Sequence, residues 1–228
     1  MESFDYIRTN YLSLTEEIRE LGKKSGQNVT LVAVTKSGSD EELLALADAG
    51  VSDVGENRPG ELKRRGELLR GAGYAPRLHE IGNLQRNKVK LIIETVDLIH
   101  SLGSLALAEE IDRQAAKVGR KVRVLIEINS GREEQKGGIL PEDLEAFYLR
   151  VSELPNLEVA GLMTMGPVVE EAEDMRPYFR LTKELFDRMN EKYGFTDGIL
   201  SMGMSDSYRV AIEEGATMVR VGRKLFTR

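Results

Sequence analysis

The sequence predicts an α/β protein: a single (β/α)8 barrel of the TIM type with an extra helix at its N-terminus, one domain spanning residues 1–228. Three observations carry that reading. Eight short, mostly apolar strand-like runs alternate with helical segments, the pattern of a parallel sheet with helical crossovers. Eight such units fit a chain of 228 residues, about the size of a compact barrel. No linker or low-complexity segment interrupts the alternation. The competing fold, an open doubly wound sheet, lacks support because no GxGxxG follows the first strand.

The elements follow in order. Phe4, Ile7, Tyr11, Leu14, Ile18 and Leu21 recur at spacings of three and four, one apolar stripe of a helix ended by Gly22. VTLVAV (29–34) is the first strand. Ser39 and Glu42 form a capping box for a helix through Ala49, with Gly50 as its stop. VSDVGE (51–56) is a strand, followed by a charged helix to about Arg70. RLHEIG (77–82) precedes a helix over 86–94. VDLIHS (96–101) leads into the helix around LALAEEIDRQAAKV. KVRVLIEIN (121–129) is the clearest strand, and Pro141 suits the first turn of the next helix. LEVAGLM (157–163) is a strand, and 176–194 a helix closed by Gly194. GILSMG (198–203) and ATMVRVG (216–222) complete the strands, with SDSYRVAIEEG a helix between them.

Composition narrows the function. The chain is 41% hydrophobic and 31% charged, ordinary for a globular protein with a real core. Its net charge is −6 and its basic residues are scattered, which argues against nucleic-acid binding. With no cysteine, disulfides, thiolate chemistry and cysteine metal sites are excluded. His79 and His100 are too few for a multi-histidine metal site; each is read as packing or capping near a strand end, without a catalytic role. No window has the roughly 18 continuous apolar residues of a membrane span. The N-terminus lacks a signal peptide's basic start and apolar middle. A cytoplasmic chain is expected.

Barrel chemistry sits at the C-terminal ends of strands. Those ends carry Lys36, Glu56-Asn57, Gly82-Asn83, Asn129-Ser130-Gly131, Met163 to Met165, SMGMS (201–205) and VRVGR (219–223). Strands 7 and 8 read as a phosphate subsite. Gly203 and Gly222 admit close backbone approach, Ser205 opens a helix whose first N–H groups can hold an anion, and Arg220 and Arg223 add positive charge. On a core strand, Arg220 requires a buried partner: a phosphate, a pyridine nitrogen or a carboxylate. Asn57 either donates to a ring oxygen or caps the following helix.

Lys36 closes the apolar run LVAVT. It either snorkels or pairs with a carboxylate, or it is a Schiff-base lysine, since imine formation needs the neutral amine that a semi-buried barrel mouth favours by desolvation. Lysine at one pole and phosphate loops at the other is the binding pattern of pyridoxal 5'-phosphate.

Several blocks in fixed order resemble one family over essentially the whole chain: LVAVTK (31–36), DVGEN (53–57), IGNLQRNK (81–88), IHS (99–101), INSGREEQKGG (128–138), GLMTM (161–165), RPYF (176–179), LSMGMS (200–205) and EGATMVRVG (214–222). The family is that of the pyridoxal phosphate homeostasis (PLP-binding) proteins, related to the N-terminal barrel of alanine racemase. The resemblance implies PLP held as an internal aldimine on Lys36. It implies phosphate contacts around Ser201, Met204, Ser205 and Gly222, with Arg223 at the cup, ring contacts near Asn57, and Arg220 facing the pyridine nitrogen. A cation there disfavours ring protonation and makes the ring a poorer electron sink. The implied role is non-catalytic: cofactor and amino-acid homeostasis, with PLP-dependent apoenzymes as recipients, no metal, no nucleic acid and no membrane. The alternatives are a weak amino-acid racemase and a class I aldolase-like barrel, the latter needing a general acid/base carboxylate or tyrosine in the mouth, for which Glu56 is the strand-end candidate, though it reads equally well as a helix-start residue. Racemase relatives carry a second β-rich domain with a catalytic tyrosine; this chain stops directly after strand 8, so a monomer is expected. Arg223 stands where the family has a small hydroxyl residue, and either pairs with phosphate or points to solvent. Glu80 stands where an aromatic residue is typical.

Overall fold

The computed structural model describes residues 4–228. Eight parallel strands close into a barrel in chain order, with β8 hydrogen-bonded back to β1. They are β1 (Thr30–Val34), β2 (Asp53–Glu56), β3 (Arg77–Glu80), β4 (Leu98–Leu102), β5 (Val122–Ile128), β6 (Leu157–Thr164), β7 (Ile199–Ser201) and β8 (Met218–Val221). Around them run α1 (Asp5–Ser25), α2 (Asp40–Asp48), α3 (Pro59–Gly71), α4 (Val89–Ile92), α5 (Leu105–Lys117), α6 (Leu144–Ser152), α7 (Arg176–Tyr193), α8 (Tyr208–Glu213) and α9 (Arg223–Phe226). All eight predicted strands are present.

Two apolar layers hold this arrangement. Val32, Leu98, Leu125, Ala160, Met163, Ile199 and Met218 fill the inside of the barrel. A larger shell lies between the strands and the helices, among it Val54, Leu62, Ile99, Ile126 and Leu162. Because both faces of each strand are buried, the strands read as continuous apolar runs rather than alternating ones. The N-terminal stripe Ile7, Tyr11, Leu14 and Ile18 is buried as its spacing predicts, and α1 packs against α2, α8 and α9. The capping box at Ser39 and Glu42 forms in both directions, and Gly194 closes α7 in the left-handed conformation.

The departures are local. α1 continues past Gly22 to Ser25, with Gly26 as its left-handed cap; Gly22 is buried where the chain returns over it at Gln27. The helix expected over 86–94 is a 3-10 turn at Arg86–Lys88 followed by the short α4. A short α9 follows β8. Ser205 does not open α8, which begins at Tyr208: the Met204 carbonyl takes the N–H groups of both Ser207 and Tyr208, so residues 204–207 form a turn. Among the described residues, no helix is long and apolar enough to cross a membrane.

Candidate functional site

Lys36 lies in the turn that leaves β1, at the C-terminal mouth of the barrel. The turn is closed by Gly38 N–H donating to the Thr35 carbonyl at 2.9 Å. It is fastened from behind by Arg65 of α3. The guanidinium donates to the carbonyls of Thr35 and, at 2.7 Å, of Gly38, one on each side of Lys36. It also pairs with Glu56 at 3.0 Å, and the Thr35 hydroxyl donates to the same Glu56 oxygen at 2.5 Å. On the opposite side the Phe226 ring of α9 packs against Gly38, so closely that a Cβ there would fall 2.5 Å from it. The backbone around Lys36 is therefore held on two sides. Its side chain is exposed rather than semi-buried, and no carboxylate pairs with it among the described residues. The ion-pair alternative thus finds no partner among the described residues.

The ends of β7 and β8 stand beside this turn. β1 and β8 pair in register from Thr30 and Met218 to Ala33 and Val221, and Gly222 comes so close to Val34 that a Cβ would sit 2.9 Å from its carbonyl oxygen. Gly203 takes φ +90, a conformation that favours glycine, and turns the chain after β7. The two loops are joined: Gly222 N–H donates to the Ser205 hydroxyl at 3.3 Å. Ser205 is buried, and the N–H groups of Ser205 and Asp206 have no acceptor among the described residues. Ser205 is buried while Asp206 is exposed, so the demand for a partner falls on the Ser205 N–H. Both N–H groups are free to meet an anion at these loops. Met204 lies alongside, 37% exposed at the same turn.

Arg223 is not part of this cup. It pairs with Asp206 on the surface, both side chains more than two-thirds exposed, because α9 turns its first residue outward. Ser201 is also placed differently from the phosphate contact expected of it. Its side chain is fully buried, accepts a hydrogen bond from Arg220 Nη1 at 2.5 Å, and lies 3.0 Å from His100 Nδ1. Asn57 sits at the β2 end, exposed at the mouth, with its backbone under Gly82.

Arg220 points into the barrel and is 3% exposed. Beyond Ser201, its guanidinium donates to the Thr164 carbonyl at 3.0 Å and to Met165 Sδ at 3.3 Å. Burial pulls its pKa down to about 10, while the charge of Glu127 works the other way. Arg220 is a cation at neutral pH.

Glu127 is the site residue that sequence reasoning missed. It lies on β5 two residues beyond Leu125, which faces the barrel interior, so it shares that face. Its carboxyl lies near Gly103 and Gly137, with its Cγ against Gly138, and feels the charge of Arg220. Burial pushes it up from the ordinary carboxylate range, and Arg220 partly offsets this. Glu56, the strand-end carboxylate singled out from the sequence, points the other way, toward α3 and Arg65. The parity of Leu125 was the available signal. Of the two readings for the histidines, packing holds and capping does not: both are buried in the interior, with His79 Nδ1 3.0 Å from His100 Nε2.

Comparison with known proteins agrees with this geometry. The family described as alanine racemase, N-terminal domain, matches residues 10–227. A pyridoxal phosphate homeostasis protein of Aquifex aeolicus is 42% identical over 214 residues, covering 92% of this chain and 93% of that protein. One from Deinococcus radiodurans is 40% identical over 213 residues, covering 92% and 95%. Among solved structures, PipY of Synechococcus elongatus with PLP bound superposes with a TM-score of 0.84 at 30% identity, covering 97% of this chain and all of that one. A protein of unknown role from Bifidobacterium adolescentis gives a TM-score of 0.89 at 34% identity, covering 98% and 95%. Alanine racemase of Clostridium difficile shares the fold, with a TM-score of 0.74 at 20% identity, and this chain covers 56% of it. With the barrel matched along its whole length, the chain belongs to the alanine racemase N-terminal domain family, among its pyridoxal phosphate homeostasis proteins.

Proposed function

We propose that this protein binds pyridoxal 5'-phosphate at the barrel mouth, covalently through Lys36 Nζ, and serves vitamin B6 and amino-acid homeostasis by holding and releasing it. The observation that carries the reading is the contiguity of three strand ends. Lys36, in the turn that leaves β1 and without an ion-pair partner among the described residues, stands beside the Ser205–Gly222 junction of β7 and β8, with buried Arg220 between that junction and the barrel interior. When bound, PLP supplies an aldehyde that a neutral amine captures and a ring that withdraws electrons. The chain's own groups divide the remaining work. The N–H groups of Ser205 and Asp206 bind the phosphate. Arg220 presents a cation to the ring nitrogen and keeps a proton off it, while Arg65 fixes the backbone on both sides of Lys36.

The purified protein should be yellow, or become so on addition of PLP, and borohydride should fix the cofactor onto the Lys36 peptide. A protein that stays colourless and retains no PLP after reconstitution sinks the reading. Hand-over to PLP-dependent apoenzymes and a monomeric state belong to the same proposal; transfer assays with an apo-aminotransferase and light scattering test them.

Glu127 favours a second reading, weak amino-acid racemisation. It offers a second group able to exchange a proton, a carboxyl near Arg220, in addition to Lys36. Solvent deuterium appearing at the Cα of alanine, and lost with Glu127→Gln, supports it. No exchange above that of free PLP leaves the storage role alone.

A further inference from the structure

A line of polar side chains runs up the inside of the barrel from its N-terminal rim to Arg220. Asp53 on β2 is fully buried, and its Oδ1 lies 2.9 Å from His79 Nε2. His79 Nδ1 lies 3.0 Å from His100 Nε2, His100 Nδ1 lies 3.0 Å from Ser201 Oγ, and Ser201 Oγ accepts from Arg220 Nη1 at 2.5 Å. Five strands, β2, β3, β4, β7 and β8, each contribute one member. None of the five is more than 3% exposed. At the lower end Asp53 is anchored by the Ser52 hydroxyl at 2.7 Å and by Arg77, whose Nε is 2.8 Å away.

The direction of these bonds follows from their ends. Burial raises the Asp53 carboxyl, but the hydrogen bonds from His79, Arg77 and Ser52 outweigh it and hold the group below its ordinary range. It is an acceptor, so His79 donates through Nε2. His79 Nδ1 then accepts from His100 Nε2–H, and His100 Nδ1 accepts the Ser201 hydroxyl hydrogen. The Ser201 lone pairs are left facing Arg220. Burial also holds the His100 ring well below the ordinary histidine range, helped by the neighbouring charge of Arg220. The reverse direction would leave the Ser201 hydrogen without an acceptor among the described residues, a costly defect in a buried site. Every donor in the line therefore points toward Asp53.

We propose that His79 and His100, with Asp53 behind them, are positioning residues that act through Ser201 to aim and hold the Arg220 guanidinium at the ring end of the cofactor site. The inference rests on the reading of the barrel mouth as a PLP site. Its physical content is that Arg220 has a built-in acceptor of fixed orientation, backed by a carboxylate three bonds away. A serine alone would rotate. Networks of this kind are worth more than their separate pairs.

The chain has only two histidines, so imidazole nitrogen NMR on the cofactor-free protein reads the line directly. The expected result is two rings, each protonated at Nε2 and bare at Nδ1, with one set of signals lost in His79→Gln. A proton on Nδ1 of either ring overturns the proposal. On the PLP-loaded protein, Ser201→Ala and His100→Gln should each shift the absorption maximum of the bound chromophore and weaken PLP retention by about tenfold. Ser201→Thr should restore both, and His100→Gln should add nothing in the Ser201→Ala background. Unchanged spectra in both single variants, or fully additive losses in the double variant, overturn the role of the line. Wild-type protein that takes up no PLP is a different failure, visible before any variant is made: it takes down the reading of the mouth, and with it the purpose assigned to Arg220. If His100→Gln does not fold, the Ser201 variants and the NMR decide alone.

Discussion

Arg65 and Glu56 form a buried ion pair, Nη1 to Oε1 at 3.0 Å, directly behind the turn that carries Lys36. The same guanidinium holds the carbonyls of Thr35 and Gly38, so one side chain from α3 ties a helix, two strand ends and the lysine turn together. Removing Arg65 strands a buried carboxylate and frees two carbonyls. Breaking one side of a buried pair costs about 3–5 kcal/mol. Arg65→Ala should lose stability on that scale in urea denaturation and should load PLP more slowly at Lys36. Glu56→Gln should cost markedly less, because Arg65 keeps both carbonyl acceptors and burial already raises the Glu56 carboxyl. Equal costs for the two variants would show that the pair, not the carbonyl clamp, is what matters.

Gly222 bears on the cup through space rather than charge. A Cβ there would lie 2.9 Å from the Val34 carbonyl oxygen and 3.2 Å from its side chain. The Val34 backbone belongs to a barrel strand, so the β8 end must move instead, pulling its N–H away from Ser205. Gly222→Ala should weaken PLP retention by about tenfold or more, with a loss of stability of about 1–3 kcal/mol. Retention and melting temperature both unchanged would mean that the Gly222–Ser205 junction takes no part in shaping the phosphate cup.

The barrel and the position of Lys36 were legible because they rest on local signals. Apolar runs of strand length, a capping box at Ser39 and Glu42, and Gly194 as a stop all survive in the structure. What stayed hidden is which way each strand residue faces. A parallel barrel buries both faces, so no alternation marks inside from outside. Glu56 and Glu127 are therefore indistinguishable in the sequence, yet one meets α3 and the other the mouth. The line from Asp53 to Arg220 is hidden for the same reason and one more: its members stand on five strands, and only closure of the sheet brings β4 opposite β7. Ser205 was placed on a helix start from its type alone, whereas the turn geometry at Met204 decides it.

Arg223 tests whether charge near the cup matters. Its side chain points to solvent, paired with Asp206. Exposed pairs contribute little. Arg223→Thr should change stability by no more than about 0.5 kcal/mol and leave the Lys36-bound cofactor in place. A complete loss of PLP, measured by absorbance after gel filtration, would make this arginine the main phosphate anchor.

Glu80 gives the fold a pH dependence of defined sign. It is fully buried at the end of β3, with one carboxylate oxygen held by Gly82 N–H at 3.1 Å and the other without a partner among the described residues. Burial pushes its pKa up to about 8, against the hydrogen bond from Gly82 that lowers it, and the charge of neighbouring Glu56 raises it further. In the unfolded chain it ionises near the ordinary value of 4.5. Between these two values the folded state binds the extra proton, so stability is greatest below about pH 4.5 for this group and falls as pH rises toward about 8. The slope it contributes is at most about 1.4 kcal/mol per pH unit. Glu80→Gln cannot ionise and removes that slope. Compared by urea denaturation at pH 6 and at pH 8.5, the variant should gain stability relative to the parent at the higher pH. A difference between the two proteins that does not change with pH would mean that Glu80 keeps an ordinary carboxylate pKa in the folded state.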